Sequence, residues 1–112
     1  MAARKHAAAG VQHKHWMEDA WPEAHHAFRN LYDTVNGKDG VLEPKTKAFI
    51  GLAAASLLRC KHCVGGKVEQ LKSEFGATDR EIAEVMMTAS LAAAGTNLAW
   101  AKEVFEEKLG SR

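Results

Sequence analysis

Apolar and polar positions along the chain recur at helical spacing. Nowhere do Val-, Ile- or Thr-rich runs alternate with period two, and no Asn-Gly hairpin joins such runs. The pattern predicts an all-α chain. A first helical segment falls within Gln12–Val35, and Pro22 suits an early helical position, so a break near Trp21 is expected. Gly37 and Gly40 mark a loop. Pro44 then opens a second helix with Glu43 at its positive end, and Phe49, Ile50, Leu52, Ala53, Leu57 and Leu58 make it strongly apolar. A third helix is expected from about Cys60 to Phe75, stopped by Gly76. Thr78-Asp79-Arg80-Glu81 fits a capping box, which starts a fourth helix at Asp79. Gly95-Thr96 is expected to end that helix after Ala94, with a fifth running to Leu109 before Gly110. The whole is a bundle of roughly five to six helices, with residues 1–10 as a flexible tail and residues 11–112 as a single helical domain.

The fourth predicted helix is apolar on almost every side: Ile82, Val85, Met86, Met87, Leu91 and several alanines surround it. Such a helix is covered on more than one side. It is either the central helix of the core or part of a subunit interface. The second helix is nearly as apolar, which favours the interface and a homo-oligomer. Trp16, Trp21, Phe28, Met86, Met87, Trp100 and Phe105 are expected in the core rather than in a cofactor pocket.

The chain has 112 residues, enough for one modest core. Its hydrophobic fraction of 46% is ordinary for a globular protein. Lys plus Arg number 15 against 14 acids, and the basic residues are scattered, so neither nucleic acid nor a membrane surface is an expected partner. No signal peptide is evident, because His13, Lys14 and His15 interrupt the apolar run that should follow Arg4 and Lys5. The longest mostly apolar run, Ala48–Leu58, is far short of the about 20 residues that span a bilayer. These features point to the cytoplasm. In that reducing compartment two cysteines three positions apart are more often reactive or metal-binding than a static crosslink.

Cys60 and Cys63 are the two cysteines. Three apart on a helix, they share a face at disulfide-forming distance. At a helix start the dipole favours the thiolate, and Arg59, Lys61, His62 and Lys67 add positive charge. One sulfur can act as nucleophile while the other resolves a sulfenic acid or mixed disulfide. Zinc is a rival reading through Cys60, His62 and Cys63, with His25 or His26 joining. A structural zinc site needs a second well-spaced ligand pair, which is missing, so no metal and no other cofactor is expected. Of the remaining histidines, His6, His13 and His15 are expected to face solvent. His25 and His26 are adjacent, so one of them should point inward.

The segment from Leu42 to Met86, with its apolar helix, Cys-x-x-Cys and Gly76-Ala77-Thr78-x-x-Glu81-Ile82-x-Glu84, resembles the carboxymuconolactone decarboxylase superfamily, in particular its alkylhydroperoxidase D-like (AhpD-like) branch. The resemblance runs from about Pro22 to Leu109. It implies an AhpD-like helical bundle assembled as trimers or hexamers. It also implies a thiol-dependent peroxidase or disulfide reductase, acting on a peroxide or disulfide and re-reduced by a protein dithiol or lipoyl-protein partner. By the same resemblance Cys63 is the attacking thiol, Cys60 the resolving one, and His62 the histidine between them. The branch also keeps a Glu on the preceding helix and a His four residues after the second cysteine. Here those positions hold Ala48 and Lys67, so two members of the proton relay are missing. General acid–base groups contribute about 10²–10⁴-fold, so weak peroxidase activity is expected. Lys67, one turn after Cys63, could stabilise a thiolate electrostatically but is a poor proton acceptor at neutral pH. Three alternatives stand beside this reading: a lactone decarboxylase, against which the cysteine pair counts, a non-catalytic assembly module, and a metal-binding module.

Overall fold

The computed structural model describes residues 15–110, which form five α-helices. The predicted tail at 1–10, with His6, and also His13 lie outside the described residues. The chain divides into two compact units, one up to Lys47 and one from Ala48 on.

In the first unit α1 spans Trp16–Ala20 and α2 spans Pro22–Asn36. The break falls at Trp21, as expected. A residue before proline is pushed out of the helical region, and Trp21 sits at φ −153°, ψ 78°. Pro22 then takes the first helical position, where a missing N–H costs nothing. His15 is exposed and caps α1, its Nδ1 accepting from the Met17 N–H at 3.1 Å. His25 is the inward member of its pair. It is half-buried against the His15 ring, 5.1 Å between centroids, and lies 3.8 Å from Glu18, while His26 is exposed. After α2 the loop is tied by Lys47, whose Nζ donates to the Gly37 carbonyl at 2.8 Å.

The second unit holds most of α3 (Pro44–Leu57), then α4 (Lys61–Phe75) and α5 (Asp79–Leu109). Its core is Ala48 and Leu52 from α3, Leu71 from α4 and Ala77 from the connection, with Phe49, Val64, Val68, Phe75, Ile82, Val85 and Met86 packed against it. Ala48 and Ala77 are buried, and Leu52 and Leu71 fully so. Gly76 ends α4 at φ 63°, a left-handed position where glycine carries no Cβ penalty. The reciprocal capping box of Thr78 and Glu81 then starts α5: the Thr78 Oγ1 accepts from the Glu81 N–H at 3.0 Å, and the Glu81 carboxylate accepts from the Thr78 N–H at 2.9 Å.

Two expectations are corrected. Gly95-Thr96 does not break the chain: α5 runs unbroken for 31 residues. One interior glycine costs a helix only about 1 kcal/mol relative to alanine, and the alanine- and leucine-rich flanks at 91–94 and 98–101 offset it. The large apolar residues are also not a core. Trp16, Trp21, Phe28, Met87, Trp100 and Phe105 are all more than half exposed, Trp100 at 82%, and Met86 alone of that set packs on the core. The physical reason is volume. The buried interior consists of alanine and leucine, and a chain this small cannot enclose every apolar face of α5. Ile82, Val85, Met86 and Ala89 face inward or are half-buried, while Met87, Leu91, Leu98, Phe105 and Leu109 remain uncovered. No helix among the described residues is long and apolar enough to cross a membrane.

Candidate functional site

The site is built at the joint between α3 and α4. α3 ends in a Schellman motif. The Cys60 N–H donates to the Ala55 carbonyl at 3.0 Å and the Arg59 N–H to the Ser56 carbonyl at 3.2 Å, so the last orphan carbonyls are satisfied. That closure needs a left-handed residue, and Arg59 supplies it at φ 63°, the one non-glycine with positive φ among the described residues. Cys60 therefore ends one helix and begins the next. As N-cap of α4, its Sγ accepts from the Cys63 N–H at 3.2 Å, and its carbonyl takes the first α4 bond, from the Val64 N–H at 2.9 Å.

The cysteines are joined as a disulfide with their Cα atoms 5.3 Å apart, within the ordinary range for such a bond. Their surroundings differ. Cys60 is half-buried under the joint, whereas Cys63, in the first turn of α4, is exposed. The Cys60 sulfur lies at the positive end of the α4 dipole with the Cys63 N–H directed at it. Cys63 offers an open sulfur to an incoming nucleophile or oxidant.

The other site residues are dispersed around this pair. His62 and Lys61 are exposed on the first turn. Lys67 is half-buried. Its Nζ donates to Gln70 Oε1 at 3.4 Å, and its stem lies over Gly51 of α3, so a Cβ at 51 would come within 2.9 Å of Lys67 Cε. A side chain at 51 would require the flexible end of Lys67 to shift. Ala48, where the resemblance led us to expect a carboxylate in active relatives, is 3% exposed and enclosed by the core. Among the described residues no three His, Cys, Asp or Glu side chains gather where they could hold a metal ion.

Sequence reading singled out the cysteines and counted Arg59 among the cations beside them, but missed the left-handed turn at Arg59 and passed over Gly51. Arg59 gives no signal, since the expected residue at a left-handed helix end is Gly or Asn. Gly51, in the middle of an apolar helix, does give one: an interior glycine there points to a close approach.

Over 65 residues, 58% of each chain, the protein is 35% identical to "Uncharacterized protein 4 in cox locus" of Paracoccus denitrificans, and so spans less than two thirds of that relative. No solved structure matches the chain. Residues 22–107, which include the α3–α4 joint and both cysteines, match the carboxymuconolactone decarboxylase family. With that match over most of its length, the chain belongs to the carboxymuconolactone decarboxylase family.

Proposed function

We propose that this protein is a thiol-dependent oxidoreductase of the AhpD-like kind, a peroxidase or disulfide reductase that cycles between the Cys60–Cys63 disulfide and the dithiol. The observation that carries this reading is the disulfide at the start of α4, with one sulfur capping the helix and the other exposed. In the oxidising half, the Cys63 thiolate attacks a peroxide oxygen, releasing an alcohol or water once a proton is supplied. The resulting sulfenic acid is attacked by Cys60, which expels water and forms the disulfide. In the reducing half, a dithiol's thiolate attacks the exposed Cys63 sulfur and Cys60 leaves as a thiolate. The second thiol of the reductant then releases Cys63, and the reductant ends as a disulfide. The leaving sulfur is the one at the N-cap of α4, where the helix dipole favours negative charge. His62 is the nearest imidazole in sequence, and Lys67 contributes charge rather than proton transfer. With hydrocarbon at Ala48, turnover of peroxide is slow. A cycling dithiol of this kind fits a reducing compartment such as the cytoplasm.

The test is direct. Exposing the reduced protein to peroxide should consume both thiols, and a dithiol should restore them. Thiolate absorbance against pH should show at least one cysteine ionising below the about 8.5 of a free thiol. Thiols untouched by peroxide, together with two unshifted ionisations, would remove the reading.

Assembly as a trimer or hexamer belongs to the same proposal. Its support is the uncovered row Met87, Leu91, Leu98, Phe105 and Leu109 on α5. Sedimentation at micromolar concentration should show the oligomer, and a monomer there would defeat it.

A further inference from the structure

We infer that the exposed face around Cys63 docks an acidic protein surface that carries the reducing dithiol. This rests on the thiol-exchange reading above and names the partner for that site. Charge is segregated in the second unit. From Ala48 to Val68 there is no Asp or Glu, while Arg59, Lys61 and Lys67 are all cationic, and from Glu69 on the acids outnumber the bases. Three other cations of the unit are answered: Lys72 by Asp79, Arg80 by Glu84, Lys102 by Glu106. Arg59 and Lys61 are exposed, one on each side of Cys60, and no ion pair to either is found among the described residues. Just before them stand Leu57, 47% exposed, and Leu58, 79% exposed. In sequence the exposed Cys63 follows two unanswered cations by two and four residues and an uncovered apolar pair by five and six.

A small anion gains little from exposed, solvated cations. A protein surface can meet both cations at once and cover Leu57 and Leu58, and the long-range field of an acidic partner also steers its approach. Charge complementarity therefore selects a protein with carboxylates around its dithiol. The exchange is the one given above: the partner thiolate bonds Cys63, Cys60 leaves, and the partner departs oxidised.

The experiment uses the oxidised full chain and two synthetic peptides with the same Cys-x-x-Cys dithiol, one flanked by glutamates and one by lysines. Each reduction rate is divided by that peptide's rate with a neutral small disulfide, which cancels differences in thiol reactivity. The expected result is a normalised preference of about tenfold or more for the acidic peptide at low salt. It should fall toward unity near 0.5 M salt, where the screening length is only about 4 Å. Arg59→Gln with Lys61→Gln should abolish the preference. Because it is a ratio, a change in the sulfur's own reactivity drops out, and the salt dependence of the parent protein stands even if that variant folds poorly. A ratio of one at low salt would overturn the inference while leaving thiol exchange intact. So would an equal preference for mercaptosuccinate over mercaptoethanol, which would mean a site for small anions. Failure of dithiothreitol and both peptides to reduce the disulfide would instead remove the thiol-exchange reading, and this inference with it.

Discussion

Changing Ala48→Glu together with Lys67→His should raise peroxide turnover by at least about tenfold, equivalent to about 1.4 kcal/mol off the barrier. The reasoning is that a carboxylate–imidazole pair would replace an arrangement that cannot pass protons near neutral pH. The structure sets the cost. Ala48 is 3% exposed and touches the Leu52, Leu71 and Ala77 cluster, so a larger side chain there overpacks the core by about 1–3 kcal/mol. A carboxylate left without a partner adds several more. Against a domain stability of about 5–15 kcal/mol, that load is tolerable only if the new carboxylate finds a polar neighbour. Position 51 lies on the same face of α3, three residues on, and the Lys67 stem now occupies the space over Gly51. Replacing Lys67 with the shorter His vacates that space and supplies the partner. Ala48→Gln with Lys67→His is the control, with the same volume and no charge. Thermal unfolding of all variants comes first, then peroxide consumption with a dithiol reductant. Each single change should give much less than the pair, because such groups act as a unit. If the double variant is as stable as the glutamine control and no faster than the parent, the missing relay is not what limits this protein.

Arg59→Gly should stabilise the fold. Removing a non-glycine residue from the left-handed region relieves about 1–2 kcal/mol, and the greater freedom of unfolded glycine takes back about 0.5–1. A net gain of about 0–1.5 kcal/mol is expected in urea unfolding, and a loss would show that the Arg59 side chain contributes more than its backbone strain costs. Asp79 is held below its ordinary value of 3.8 chiefly by the Lys72 ammonium hydrogen-bonded to it. A depressed carboxylate adds stability above its unfolded pKa and loses it as pH falls through the folded one. The stability difference between the parent and Lys72→Gln should therefore be present at neutral pH and shrink as pH falls below 3.8 and the carboxylate is protonated; a difference that persists unchanged in acid would refute the assignment.

Most helix boundaries were legible because they rest on local chemistry. Pro22, Pro44, Gly76 and the Thr78–Glu81 pair act through their own backbone geometry, which no distant contact needs to supply. The cysteine spacing was legible for the same reason. What escaped depends on competition. Whether Gly95 ends a helix is decided by the helix-forming strength of both flanks, and there the flanks prevail. Whether Trp100 or Phe105 is buried depends on how much interior the chain can offer, and alanine-rich packing offers little. The left-handed Arg59 is set by the closure of two helices on one residue, which no single position reveals. Lys67 could be placed one turn from Cys63 by counting, but its course over Gly51 required the helices to be in place.

Gly65 and Gly66 stand side by side in α4 directly after Val64, with nothing within 4 Å of where either Cβ would be. Each lowers helix stability by about 1 kcal/mol relative to alanine, and no packing there returns it. The first turn of α4 is thus held by the Cys60 cap and by the covalent loop that the disulfide closes. Reduction removes that loop and leaves the cap. Amide hydrogens near the two glycines should then exchange faster with solvent in the dithiol protein than in the disulfide protein, so that oxidation state is written into the local breathing of the backbone as well as into the sulfurs.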